Sequence, residues 1–177
     1  MTATKYQVEE YTGAHPKFNV ASDCVITLYN ELGTFPESPE WSVPENLTVI
    51  LIRDMEGAQR LEDAPIIGGG IIEQIDQTAK TWMCQFLAVE KRYQGNGCGR
   101  KLVELLEKTA SRDGGCLGGA YLDMDNKSDF WEHLGYTHDG LINMTVVRLC
   151  KPMAELLVEC KPKYHIDMND LIEFLNR

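Results

Sequence analysis

Apolar positions recur along the chain with two periods. In SDCVITLYNELG they fall at Val25, Ile26, Tyr29 and Leu32, which is helical spacing, with Ser22 as the expected N-cap and Gly33 as the stop. The proline-bearing TFPESPEWSVPEN that follows reads as a loop, because Pro36, Pro39 and Pro44 each disfavour a continued helix, and a loop of this length is often functional. NLTVILIRD and PIIGGGIIEQID are apolar runs separated by polar, turn-like MEGAQRLEDA, which predicts an antiparallel hairpin. TWMCQFLAVE is a third strand.

After the glycine-rich QGNGCG, the segment RKLVELLEKTA places Leu102, Leu105, Leu106, Thr109 and Ala110 on one face and Arg100, Lys101, Glu104 and Lys108 elsewhere. This is an amphipathic helix, ended by Gly114 and Gly115. CLGGAYLDMD predicts a further strand, KSDFWEHLGY a short helix stopped by Gly135, and INMTVVRLC a closing strand. The expected order is helix, three antiparallel strands, helix, strand, helix, strand. It predicts an α/β fold whose mixed, largely antiparallel sheet has a crossover helix directly after the glycine loop. Residues 1–150 read as one domain and 151–177 as a tail, whose stripe of Met168, Leu171, Ile172 and Leu175 is a packing face that would suit a homodimer.

Composition narrows the class. The chain has 177 residues, 44% of them hydrophobic, enough for one sizeable core. A net charge of −10 with no basic face argues against a nucleic-acid partner. No stretch approaches the roughly 18 apolar residues of a membrane span, and MTATKYQVEEYTG has no signal-like apolar core, so a cytoplasmic protein is expected. The six cysteines are scattered without a CxxC pair, a pattern of reduced, mostly buried thiols, and no histidine shows ligand spacing. No metal is proposed.

Candidate chemistry concentrates in the glycines. A glycine run tolerates positive φ and lets backbone N–H groups converge on an anion, and the helix that follows adds its unpaired N–H groups and dipole to the same place. This predicts a phosphate cradle. A Walker loop needs GxxxxGK[ST], which is absent; a dinucleotide fingerprint needs GxGxxG in an early parallel unit, and here the third glycine comes one residue early, after three antiparallel strands.

The spacing present is Gln94-x-x-Gly97-x-Gly99 between a strand ending in Ala88-Val89 and an amphipathic helix, followed later by FWEHLGY. In this combination, over residues 20 to 150, the chain resembles the GNAT family of N-acetyltransferases. The resemblance implies acetyl-coenzyme A as co-substrate, its pyrophosphate on the backbone of Gln94, Gly95, Asn96, Gly97, Cys98, Gly99 and Arg100. It implies that the strand carrying Phe86, Leu87, Ala88 and Val89 splays from its neighbour and pairs its backbone with the pantetheine arm. Asn126 is either a further contact to that arm or a helix cap. Trp131 stands where the family usually supplies a tyrosine to protonate the leaving thiolate; an indole N–H donates a hydrogen bond but is no acid near neutral pH. Tyr136 and Tyr121 are the candidate substitutes, each of which also reads as a core residue, and the resemblance implies Tyr136 and Asp123 as the catalytic residues.

Within that family, RYQGNGCGRKL, GGIIEQ, YLDMDNKSDFWEHLGY and LGTFPES look like the glucosamine-6-phosphate N-acetyltransferases. This second resemblance implies an amino-sugar phosphate as acceptor, with Thr34, Glu73, Asp123 and Arg148 binding it. Arg148 would take the phosphate, unless it is only a surface arginine, and Asp123 would orient the ammonium or the sugar hydroxyls. Where that group has a Glu-Asp pair, this chain reads Gln85-Phe86. Cys98, at a helix start, is expected to have an acidified thiol yet no chemical role. Two function classes follow: an enzyme transferring acetyl directly to an amine, on a small molecule or a protein, or a non-catalytic coenzyme A-binding module.

Overall fold

The strand LTVILIRD is almost continuously buried, which requires cover on both faces of the sheet. The computed structural model supplies it, describing residues 5–32, 44–112, 114–123, 129–141 and 146–150. The elements are β1 (Tyr6–Thr12), α1 (Phe18–Leu32), β2 (Leu47–Asp54), β3 (Ile66–Asp76), β4 (Thr81–Val89), α2 (Cys98–Ser111), β5 (Cys116–Asp123), α3 (Asp129–Glu132), β6 (Thr137–Leu141) and β7 (Val146–Cys150). They build one seven-stranded sheet in the order β1-β2-β3-β4-β5-β7-β6. Every pairing is antiparallel except β4 with β5, which α2 joins as the crossover.

Two cores lie on opposite faces. Ile50, Ile52, Ile72 and Cys84 meet Leu102, Val103, Leu106 and Ala110 of α2. Val49, Leu51, Ile71 and Phe86 meet Phe18, Ala21, Val25 and Ile26 of α1. The triple glycine of β3 lets both helices come close. A Cβ on Gly69 would stand 2.7 Å from Val25 Cγ2 and 2.9 Å from the Ile50 carbonyl oxygen, and one on Gly70 would stand 2.9 Å from Leu106 Cδ1.

Three expectations are corrected, and a fourth cannot be placed against the fold. Helix α1 begins at Phe18, so Ser22 lies inside it and is buried rather than capping it. The helix is set by packing of Phe18 and Ala21 on the sheet, which overrides the local cap signal. Strand β1 is absent from the expected order because YQVEEYT carries two glutamates. It is an edge strand, where charge is normal, and Glu9 is paired with Arg53 of β2 while Glu10 takes Arg112 at 2.5 Å. The single closing strand is two, β6 and β7, with β7 inserted between β5 and β6. THDGL lacks an apolar run, and its pairing with β7 supplies what its propensity does not. The 151–177 tail and its packing stripe lie outside the described residues.

Because Gly69 of β3 faces α1 at close range, Gly69→Ala is expected to lower the unfolding free energy by about 1–3 kcal/mol through overpacking. Urea denaturation measures it; an unchanged midpoint would show that the α1 face is not in close contact.

Candidate active site

Strand β4 loses one neighbour halfway along. It pairs with β5 only from Thr81↔Cys116 to Cys84↔Ala120, while β5 turns to β7 from Gly119 to Asp123. From Phe86 to Val89, β4 keeps its ladder to β3, and among the described residues no strand covers its other edge. Alternate N–H and C=O groups there face a cleft of about 820 Å³. The splay implied by the resemblance is present.

At the cleft's mouth the chain turns through the glycine loop into α2. The Gln94 side chain donates to the Val89 carbonyl at 2.8 Å, tying the loop back onto the end of β4. Gly95 and Gly97 hold φ of 78° and 81°, left-handed values that only glycine adopts without strain. The first bond of the α2 ladder runs from Lys101 N–H to the Gly97 carbonyl at 3.1 Å, so the N–H groups of Cys98, Gly99 and Arg100 precede it without an intrahelical acceptor. Arg100 lines the cleft, whereas Arg92 is engaged by Glu90 at 2.6 Å and Lys101 by Glu104 at 2.7 Å. Three converging N–H groups, the dipole end of a helix and one guanidinium fit a phosphate anion.

The cleft gathers Phe86, Leu87, Val89, Gln94, Gly95, Gly97, Gly99, Arg100 and Trp131 from the expected set. Ala88 and Cys98 are buried beside it, and Asn96 is exposed in the loop. Trp131 packs edge-on against Phe130 and Tyr136, with ring centroids at 5.5 and 5.0 Å. Phe130 also crowds Gly99, where a Cβ would stand 3.1 Å from its ring. Glu73 does not line the cleft but accepts a hydrogen bond from Gln85 Nε2, which does, at 2.6 Å.

Tyr136 is a correction. It is 0% exposed, does not line the cleft, and gives its hydroxyl to Glu107 of α2 at 3.0 Å. Closing the aromatic stack under α2 takes it away from any ligand in the cleft, whereas Tyr121 of β5 lines it. The Cys98 thiol is also not acidified; burial pushes it up, as it does more strongly for Cys84 at the point of the splay. Asp123 ends β5 and Arg148 is the register partner of Tyr121; the side chains of both, together with Thr34 and Asn126, lie outside the described residues.

Four further cleft residues have weak sequence signals. Tyr29 lies on the helical stripe of α1, so its spacing reads as core, and it meets Phe86 edge-on at 5.3 Å. Gln85 reads only as a missing acid, Phe130 as a neighbour of Trp131, and His133 as a surface residue.

Comparison with known proteins turns on the same segment. Residues 58–138 match the acetyltransferase (GNAT) domain. The matched GNAT segment holds β3, β4, the glycine loop, α2 and β5, which build most of the cleft, and it points to acetyl transfer from acetyl-coenzyme A. No curated protein sequence matches the chain. Solved structures share the GNAT fold at low identity. The paia N-acetyltransferase of Thermoplasma acidophilum in complex with coenzyme A has a TM-score of 0.56 at 12% identity, over 82% of this chain and 99% of that one. A GNAT-family acetyltransferase of Staphylococcus aureus Mu50 gives 0.53 at 14%, over 82% and 99%. The NatC complex bound to Gag peptide and CoA gives 0.58 at 15%, over 84% and 99%.

Gly97→Val should abolish coenzyme A binding by calorimetry while leaving far-UV circular dichroism unchanged, since its Cβ requires the loop to leave positive φ. Cys98→Ala should retain most activity. Normal binding by Gly97→Val would refute the cradle, and loss of turnover in Cys98→Ala with binding intact would refute direct transfer.

Proposed function

We propose that this protein is an acetyl-coenzyme A-dependent N-acetyltransferase that moves acetyl directly to a primary amine, with glucosamine 6-phosphate as the first acceptor to test. One observation carries the reading: the open edge of β4 and the glycine cradle before α2 face a single cleft. The cradle suits the pyrophosphate, and the β4 edge beyond its pairing with β5 suits the amides of the pantetheine arm. A thioester at the splay would meet an amine arriving from the Tyr29 and Phe86 side.

The chemistry needs little from the chain. The amine lone pair attacks the thioester carbonyl carbon, the new C–N bond forms, the C–S bond breaks, and the amine proton passes to water. Coenzyme A leaves as the thiol. Holding both substrates in one cleft supplies the proximity that such a step requires. Tyr121 is the proposed proton donor to the departing sulfur, regaining its proton from solvent, in the tyrosine role that Trp131 cannot fill. For the sugar phosphate, Asp123 and Arg148 are the proposed partners of the ammonium and the phosphate, on strands β5 and β7 next to one another in the sheet.

A thiol-release assay with acetyl-coenzyme A should show turnover with glucosamine 6-phosphate above spermidine and above a tripeptide with a free N-terminus. Turnover with the peptide and never with the hexosamine phosphate would remove the sugar reading alone. Coenzyme A binding without turnover for any amine would favour the non-catalytic module. Tyr121→Phe is expected to lower kcat on the order of 10²-fold with the KM for acetyl-coenzyme A unchanged; an unchanged kcat would exclude Tyr121 as the donor.

A further inference from the structure

Gln85 occupies the first position of β4 beyond its pairing with β5, and it is also the extra residue of a β-bulge. Ile71 pairs with Phe86 and Ile72 with Cys84, which leaves Gln85 without a partner on β3. Cys84 belongs to the α2-side core and Phe86 to the α1-side core. The bulge therefore keeps Gln85 and Phe86 on the α1 side together, where simple alternation would separate them. Glu73 lies on that side as well, two residues from Ile71 of the same core.

The hydrogen bond between them settles the orientation of the amide. Gln85 Nε2 lies 2.6 Å from a Glu73 carboxylate oxygen, and an ionised carboxylate only accepts, so the NH₂ group is the one held by Glu73. Oε1 is then the free end of a side chain that lines the cleft. This distinction matters for an amine nucleophile. An amide presenting N–H would donate to the amine's lone pair and occupy the orbital that must attack. An amide presenting Oε1 accepts an amine N–H and leaves the lone pair available.

We infer that Gln85 is the docking group for the acceptor's amine, and that Glu73 is a positioning residue that locks the Gln85 amide so that the cleft is offered a hydrogen-bond acceptor. The inference rests on the acetyltransferase reading and sharpens it. The negative charge of Glu73 behind the amide polarises Oε1 toward a cationic or N–H-rich ligand. Gln85 cannot itself take the proton, which goes to solvent. The tyrosine–phenylalanine contact at 5.3 Å walls the same pocket with aromatic surface.

A double-mutant cycle on acetyl transfer tests this, using glucosamine 6-phosphate, spermidine and a tripeptide with a free N-terminus as acceptors. Gln85→Met keeps the volume and removes Oε1; Glu73→Leu frees the amide to turn. Each single change should lower kcat/KM for the working acceptor by roughly 10- to 100-fold, with KM for acetyl-coenzyme A and the melting temperature little changed. In the Gln85→Met background, Glu73→Leu should add less than about threefold, because Glu73 acts through Gln85. Glu73→Gln, which keeps the shape but not the charge, should fall between. Additive losses, or losses that follow the melting temperature, would overturn the inference alone. Absence of turnover with every acceptor while coenzyme A binds would overturn the enzyme reading and this inference with it.

Discussion

Strand β4 has a partner on each side along its first half and on one side along its second, and the site depends on that change. A strand edge left unpaired inside a protein is normally covered or charged, because its N–H and C=O groups are costly to leave without partners. Here, among the described residues, no strand pairs with the edge beyond Cys84. It opens onto a cleft, and the bulge that sets Gln85 out of the β3 ladder comes at the same point. The divergence, the aim of Gln85 and the open backbone edge are one local event in the sheet.

The remaining architecture holds that event in place. Gly69 and Gly70 bring α1 and α2 down on opposite faces of β3, so the strand beside β4 is clamped from both sides. The α2 helix is thereby fixed against β3, β4 and β5, and its first turn stands at the mouth of the cleft. Gln94 ties the loop to Val89 over 2.8 Å, which joins the end of the open edge to the beginning of the cradle. The two parts of the proposed site, the strand edge and the glycine cradle, are thus joined through the Gln94 side chain.

Much of this was legible in the chain. The glycine spacing and the apolar stripe of α2 announced the cradle, since local geometry needs only local residues. Leu102, Leu106 and Ala110 are buried as that stripe requires. Strands β1 and β6 were not legible, because their pairing is decided by neighbours distant in sequence rather than by an apolar period. The choice between Tyr121 and Tyr136 was likewise closed to sequence: both follow apolar or small residues, and only the packing of Trp131 on Tyr136 shows which one is core. In the sequence Gln85 reads as the loss of a carboxylate and Glu73 as a direct contact to the acceptor. Their 2.6 Å bond, made across a bulge, shows that Glu73 reaches the cleft through another side chain.

The central claim is that coenzyme A lies along the open edge of β4 with its phosphates on the first turn of α2. Hydrogen exchange at single-residue resolution, with and without coenzyme A, tests it most directly. Protection should rise at alternate amides between Gln85 and Val89 and at Gly97, Cys98, Gly99 and Arg100, with no change along β1 and β2. Protection confined to the loop, or spread evenly over the sheet, would contradict the account.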